Sequence, residues 1–325
     1  MHGPELRQDL VSHDWIVIAD FKGKPHEIRK DKTRVATHLD KCPFEVKHAS
    51  PLLLFTKDND WSLQVFENKF PAFIPRGTCS HIFSRGPYRV AQGVGHHELV
   101  VTRDHQTDFG SLPQQAAEEV FRAFQERYRT FLKNRCISYV AMFHNWGPLA
   151  GASVYHPHYQ IIAIPIVPPD VEHSLIGSTS YFKKHKECVH CAMMRWELEQ
   201  KSRVVYENEE AVVFAPFASR SSFELRIFPK EHLPYFETTQ ERTLGYVAEA
   251  LREALRLLKT NLNDPDYNFF IHTAPVRNRR RYGHYHWHIE ILPKLSTFAG
   301  FELGTGIDIN PTDPDQVARI LRHNL

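Results

Sequence analysis

The chain twice sets histidines at alternating positions and then runs straight into an apolar stretch. The first instance is Tyr155-His156-Pro157-His158-Tyr159-Gln160 before Ile161-Ile162-Ala163-Ile164-Pro165; the second is His284-Tyr285-His286-Trp287-His288 before Ile289-Glu290-Ile291-Leu292-Pro293. Alternate side chains of a β-strand share one face. His156, His158 and Gln160 are therefore expected to project together, with Tyr155 and Tyr159 pointing the other way. Burying such groups unpaired costs about 1–3 kcal/mol each. The pattern predicts a reacting surface, with a pair of hydrogen-bonded surface histidines as the plainer alternative.

What precedes each strand repeats as well. The first half carries Cys42-Pro43-Phe44-Glu45, then Val65-Phe66-Glu67-Asn68, then Glu98-Leu99-Val100-Val101 leading to His105, then a helix expected over Leu112–Lys133. The second half carries Cys188-Val189-His190-Cys191, then Val205-Tyr206-Glu207-Asn208, then Glu224-Leu225-Arg226-Ile227 leading to His232, then a helix expected over Gln240–Leu262 from its apolar spacing. Landmarks kept in one order predict two copies of one α+β unit, each a mostly antiparallel sheet with a long helix. Val167-Pro168-Pro169-Asp170 breaks the first histidine strand and divides the chain into residues 1–169 and 170–325.

The repeated cysteines and histidines have metal-ligand chemistry. Cys188-x-x-Cys191 is the two-thiolate knuckle of structural zinc sites, and His232 with His286 can complete a tetrahedron, although His185, His190, His284 and His288 lie close enough in sequence to compete. In the first half the matching residues are Cys42, Glu45, His105 and His156. A carboxylate is an acceptable zinc ligand. Cys42-x-x-Glu45 is thus open to two assignments, a mixed Cys/Glu/His site or a degenerate one without metal, so the expectation is one or two zinc ions per chain.

Length and composition narrow the partners. At 325 residues, with 42% hydrophobic and 24% charged content, the chain can build two domains. A net charge of +2 and a pI near 8.2 argue against nucleic acid or an acidic membrane as the main partner. Arg277, Arg279, Arg280 and Arg281 are expected to form a solvated loop, and Lys183-Lys184-His185-Lys186 lacks the interleaved aromatics of a single-strand platform. No N-terminal apolar region and no run of about 18 apolar residues is present, so a cytoplasmic location is expected. Five cysteines, an odd count, predict free or metal-bound thiols over a disulfide framework.

These residues bring the chain to a family. It resembles the galactose-1-phosphate uridylyltransferase branch of the histidine-triad superfamily, and the subgroup near ADP-glucose phosphorylase in particular. The similarity runs through Glu5-Leu6-Arg7-Gln8-Asp9, Trp15-Ile16-Val17-Ile18-Ala19, Cys42-Pro43-Phe44, Phe66-Glu67-Asn68, Asn145, Gly151-Ala152-Ser153, Gly300-Phe301-Glu302-Leu303-Gly304-Thr305-Gly306 and Ile309-Asn310-Pro311. Glu45 departs from it, standing where the family often has a second cysteine. The resemblance implies two fused histidine-triad units and selects His286 as a metal ligand.

The resemblance also implies a chemistry. His158 would be a nucleophile that accepts a nucleoside monophosphate from a nucleotide sugar and passes it to a hexose 1-phosphate, UDP-glucose and galactose 1-phosphate being the expected pair. Covalent catalysis of this kind divides one displacement into two. It requires the other imidazole nitrogen to give its proton to a fixed acceptor, commonly a backbone carbonyl. Gln160 would hold a phosphate oxygen, with Ser153 and the Gly151 backbone adding donors, and His156 would anchor the strand through the metal. Asn68 and Asn145 would contact ribose or phosphate, although each alone suits a turn or cap. Glu302 would reach sugar hydroxyls in a partner subunit, implying a homodimer. Two alternatives accompany this expectation: an ADP-sugar phosphorylase using inorganic phosphate, and a zinc-stabilised nucleotide-binding module without turnover.

Overall fold

The computed structural model describes residues 3–19, 34 and 38–323. Its strands are β1 (Glu5–Gln8), β2 (Trp15–Ile18), β3 (Leu53–Lys57), β4 (Asp60–Glu67), β5 (Ile82–Arg85), β6 (Tyr88–Ala91), β7 (His96–Thr102), β8 (Tyr139–Trp146), β9 (His158–Ile164), β10 (Val204–Glu207), β11 (Ala211–Phe214), β12 (Leu225–Pro229), β13 (Tyr267–His272), β14 (His288–Pro293) and β15 (Asp308–Asn310). The helices are α1 (Gln114–Leu132), α2 (Pro169–His185), α3 (Val189–Gln200), α4 (Glu241–Asn261), α5 (Gly300–Thr305) and α6 (Pro314–Arg322). Both long helices lie within two residues of their expected spans.

One ten-stranded sheet in the order β10-β11-β12-β14-β13-β8-β9-β7-β4-β3 forms the body of the fold, with antiparallel pairing throughout. Read outward from the central β8/β13 pair, each half contributes its strands in the same sequence: β8-β9-β7-β4-β3 on one side and β13-β14-β12-β11-β10 on the other. The duplication is therefore visible in the topology, with β9 matching β14. Strand pairing sets one continuous row across the sheet, Arg226, Glu290, Phe270, Phe143, Gln160, Leu99 and Phe66. Gln160 and Glu290 stand in equivalent places on the same face.

Helices α1 and α4 cover the opposite face. Ala117, Val120, Phe121, Phe124, Tyr128 and Phe131 of α1 fall at helical spacing and are buried, as are Leu244, Val247, Leu251, Leu255 and Leu258 of α4. The two helices also meet each other, Gln114 Nε2 donating to the Gly245 carbonyl at 3.0 Å. The main apolar cluster consequently joins residues of both halves, from Leu63 and Tyr159 to Phe269 and Ile291. A small sheet, β1-β2-β15, carries the N-terminal hairpin and a C-terminal strand together.

Several expectations are corrected. His156 does not lie on the strand: β9 begins at His158, and Pro157, which has no N–H to give a ladder, separates the two. Val205–Asn208 is not the counterpart of Val65–Asn68, because the former is on β10, which matches β3, whereas β4 matches β11. Glu98 is not the counterpart of Glu224. Leu99 faces Gln160 and Arg226 faces Glu290, so Glu98 matches Leu225 and His97 matches Glu224. A one-residue slip of this kind sends a side chain to the other face: Glu98 turns to the helix side and binds Arg127 at 2.6 Å. Finally, Cys79 and Cys136 form a disulfide, leaving Cys42, Cys188 and Cys191 as free thiols. The odd count concealed one pair. The arginine run is only partly solvated: Arg277 donates to the Ile137 carbonyl and Arg279 pairs with Glu237 over the Tyr235 ring, while Arg280 and Arg281 are exposed as expected. Among the described residues no helix is long and apolar enough to cross a membrane.

Candidate active site

His158 opens β9 and is almost wholly buried, with the Phe44 ring 5.2 Å from its own. Its Nδ1 lies 3.0 Å from the His156 carbonyl oxygen. A carbonyl only accepts, so Nδ1 carries the proton and Nε2 keeps its lone pair. Burial holds the imidazole below its ordinary pKa, opposing the His156 carbonyl, and keeps it neutral near pH 7. This is the fixed acceptor the chemistry requires. Below the strand, His144 donates Nδ1–H to the His158 carbonyl at 2.7 Å; burial lowers its pKa to about 3, so it remains neutral too.

Gln160 follows on the same face. Its Oε1 lies 2.9 Å from His97 Nε2, and Asn68 Nδ2 lies 3.1 Å from that nitrogen. Asn68 thus lies beside Gln160 at the same ring nitrogen, its own Oδ1 accepting from the Phe70 N–H. Asn145 is on β8, and its Oδ1 accepts from Asn268 Nδ2 at 2.8 Å. Asn268, in turn, donates to the Ala150 carbonyl just before Gly151, whose φ of +88° a side chain rarely adopts. Ser153 is exposed in the loop before His156. The structure therefore brings His158, Asn145 and Gly151 to one end of β8 and β9, with Ser153 in the connecting loop, while Gln160 lies two residues further along β9 and Asn68 sits beyond it, across His97. Glu302 is placed elsewhere. It caps α5, accepting from the Ala299 N–H at 3.0 Å, and lies near Asp308 on the second-half side.

Two ligand groups assemble as expected. In each of Cys188/Cys191/His232/His286 and Cys42/Glu45/His105/His156 the candidate donor atoms lie within 4.8 Å of one another. His185, His190, His284 and His288 lie outside the former. His232 donates Nε2–H to the Gly283 carbonyl at 2.9 Å, which turns the Nδ1 lone pair toward Cys191 Sγ at 3.2 Å. In the other group His156 donates Nε2–H to the Thr102 carbonyl at 2.7 Å, and its Nδ1 lies 3.5 Å from Cys42 Sγ and 3.3 Å from Glu45 Oε1. Backbone carbonyls that hold the outer imidazole nitrogen are the usual support of a metal ligand. Glu45 Oε1 is buried, while Oε2 takes the Arg103 guanidinium at 2.7 Å. Burial pushes this carboxyl up, but Arg103 and His105 hold it below the usual range, so it is ionised. Two thiols and two imidazoles in one group, and a thiol, an ionised carboxylate and two imidazoles in the other, are donor sets that suit a cation.

The second-half counterpart of the His158 region is built differently. His288 keeps the same tautomer through Nδ1 and the His286 carbonyl at 3.1 Å, yet its Nε2 meets Glu290 Oε1 at 3.7 Å. Glu290 is shared by Arg226 at 3.2 Å and Arg220 at 3.0 Å, and Arg226 also meets Glu224 at 3.2 Å and Asp9 at 3.3 Å. Burial opposes ionisation of Glu290, and Arg226 overrides it, holding the carboxyl well below the usual range. His272, His288 and Glu290 form a third group of possible ligands, unforeseen from the sequence. The arginines already compensate its carboxylate. A cavity of about 150 Å³ lies over this network, partly walled by Asp9, Ser12 and Asp14 of the N-terminal segment.

Sequence reasoning missed His97 and Asn268. A histidine two residues before Leu99 on the strand paired with β9 was the available signal, but only strand register places it beside Gln160.

Comparison with known proteins completes the picture. The family model for a domain of unknown function, DUF4921, matches residues 88–325. The chain is 32% identical to the ADP-glucose phosphorylase of Arabidopsis thaliana over 98% of its own length and 92% of the relative's. It is 27% identical to the galactose-1-phosphate uridylyltransferase of Thermotoga maritima, over 98% of each. The crystal structure of the Arabidopsis ADP-glucose phosphorylase with bound ADP-glucose superposes with a TM-score of 0.81 and 30% identity, covering 98% of this chain and 99% of the other.

Proposed function

This chain belongs to the galactose-1-phosphate uridylyltransferase-like family, and from that premise we propose that it moves a nucleoside monophosphate from a nucleotide sugar to a second phosphate through a covalent nucleotidyl-histidine on His158. The observation that carries this reading is the bond from His158 Nδ1–H to the His156 carbonyl, which leaves Nε2 as a neutral nucleophile on a held ring.

In the first step Nε2 attacks the α-phosphorus. A P–N bond forms, the bond from that phosphorus to the bridging oxygen breaks, and the electron pair leaves with the sugar 1-phosphate. In the second step a phosphate oxygen of the acceptor attacks, the P–N bond breaks, and its pair returns to Nε2. The proton stays on Nδ1 throughout, donated in a hydrogen bond to the His156 carbonyl. Gln160, Ser153 and the Gly151 backbone would donate to the nonbridging oxygens, where oriented donors act on developing charge. Asn68 and Asn145 would contact ribose or phosphate. Gln160 does not titrate, whereas a third histidine there could shuttle a proton to and from water; this favours transfer over hydrolysis.

The acceptor is proposed to be a hexose 1-phosphate, with UDP-glucose and galactose 1-phosphate as the pair. The similarity to the Arabidopsis phosphorylase supports a second reading, in which inorganic phosphate takes AMP from an ADP-sugar. Zinc is proposed in both ligand groups, where it would hold Cys42 and Cys188 against the loops that carry His156 and His286. Glu302 is proposed to serve the partner's site in a homodimer, and residues 1–169 and 170–325 to be the two repeat units.

Intact mass after mixing with UDP-glucose and, separately, ADP-glucose tests this. The protein should gain one acid-labile nucleotidyl group, and His158→Ala should gain none. Chasing the adduct with galactose 1-phosphate or with phosphate then separates transferase from phosphorylase. An adduct that persists in His158→Ala removes the nucleophile assignment, and no adduct with either nucleotide favours the binding module.

A further inference from the structure

We propose that His97 is a positioning residue that turns the Gln160 carboxamide so that its NH2 end, not its carbonyl, is left for the phosphate; this rests on the role given to Gln160 above. The tautomer of His97 decides the matter. Ala72 N–H donates to His97 Nδ1 at 3.1 Å. A nitrogen that accepts carries no proton, and a neutral imidazole has one N–H, so the proton is on Nε2. That N–H lies 2.9 Å from Gln160 Oε1 and donates to it. Asn68 Nδ2, at 3.1 Å from the same nitrogen with its amide oriented by the Phe70 N–H, is a second donor there and cannot bond to a protonated Nε2. The Ala72 N–H and the Asn68 NH2 therefore compete in setting the ring, and the tautomer is the point to be measured.

The consequence for Gln160 is directional. A carboxamide turned by half a rotation exchanges a donor for an acceptor at nearly the same point, and an acceptor aimed at a phosphate oxygen repels it. With Oε1 occupied by His97, the amide nitrogen is the free end. His97 itself is held on β7 with about a tenth of its surface exposed, so the ring cannot swing away without losing the Ala72 bond. The second half shows what replaces this device. Glu224 stands at the place of His97 and points to Arg226, which stands at the place of Leu99. There the neighbouring strand delivers charge to Glu290; here it delivers a single neutral N–H to Gln160.

The experiment follows single-turnover formation of the nucleotidyl-enzyme in the full chain, with whichever of UDP-glucose and ADP-glucose labels the wild type. His97→Asn can still accept the Ala72 N–H but is too short to reach Gln160. It should slow adduct formation by about 10- to 100-fold at saturating nucleotide. His97→Gln is long enough to place an N–H near the old Nε2 and should restore most of the rate. In a Gln160→Ala background, His97→Asn should change nothing further. A wild-type rate in His97→Asn, or an equal loss with and without the Gln160 side chain, overturns the proposal. Should His97→Asn fail to fold, 15N spectra of histidine-labelled wild type, with the resonance assigned by its loss in His97→Gln, must show the Nε2–H tautomer; an Nδ1–H tautomer overturns the assignment independently. A wild type that forms no adduct sinks the nucleotidyl-histidine reading instead, and the tautomer still tests the His97–Gln160 geometry.

Discussion

β9 and β14 are the same strand of the same unit, and they hold their leading histidines in the same way. Each donates Nδ1–H to the carbonyl two residues earlier, and each stands beside a ligand group whose histidine precedes it by two residues. What differs is the next residue on that face and its neighbour across the ladder. Gln160 faces Leu99 and is oriented by His97; Glu290 faces Arg226 and lies in a buried network with Asp9, Glu224 and Arg220. The first arrangement leaves a neutral imidazole nitrogen and a neutral donor. The second spends its polar groups on one another. Two mirrored strands of one sheet can thus present a neutral donor in one place and an ionic network in the other without moving a strand, because both outcomes depend on a few side chains projecting from a like backbone.

The sharpest way to break this comparison is to delete the two histidines in turn. His158→Ala should lower nucleotidyl transfer by on the order of 10⁴-fold or more, while His288→Ala should leave kcat nearly as it was; a comparable loss in both, measured by steady-state turnover, would show that the second copy takes part in the reaction. The next test concerns the network. Arg226→Met leaves buried carboxylates without their common partner and should destabilise the fold by about 3–5 kcal/mol, as read by urea unfolding. Its pH dependence has a definite sign. Glu290 is depressed in the folded chain, so the stability it contributes is full above the unfolded carboxyl value, about 4.3, and is lost as pH falls through the lower folded value. Without Arg226, burial raises the carboxyl, and protonation relieves the unpaired charge. The deficit of Arg226→Met should therefore be largest at neutral pH and narrow toward about pH 5; a deficit that widens on acidification would contradict the role assigned to Arg226. The smallest effect concerns the two ligand groups. Glu45→Ala should lose one equivalent of zinc by metal analysis, with turnover reduced less than in His158→Ala, and unchanged stoichiometry would show that Glu45 is not a required ligand.

Much of this site was legible along the chain. Alternating histidines, the Cys188-x-x-Cys191 knuckle and the repeated order of landmarks pointed to the two candidate groups whose donor atoms converge, since each signal is carried by residue type and short spacing. The long helices were legible for the same reason, a continuous apolar stripe. Short look-alike segments were not. Val65–Asn68 and Val205–Asn208 resemble each other because both finish a strand with a Glu-Asn pair, yet they occupy different strands of their units. Cys79 and Cys136 could not be paired by counting. His97 is 63 residues from Gln160 in sequence, and Asn268 is 123 from Asn145; strand pairing alone makes them neighbours.

The sequence by itself determined that the two halves repeat one order of landmarks, that cysteines and histidines are spaced for two candidate ligand groups, and that His158 and Gln160 alternate on one strand face. Those properties follow from periodicity and side-chain chemistry, which are local. Tertiary structure decided the register of β7 against β9 and of β12 against β14, and with it whether the polar group on the histidine face meets an N–H donor or an arginine. A sheet has a side-chain period of two, so a shift of one residue would have exchanged these partners for those on the helix side. No local signal in the chain records that choice.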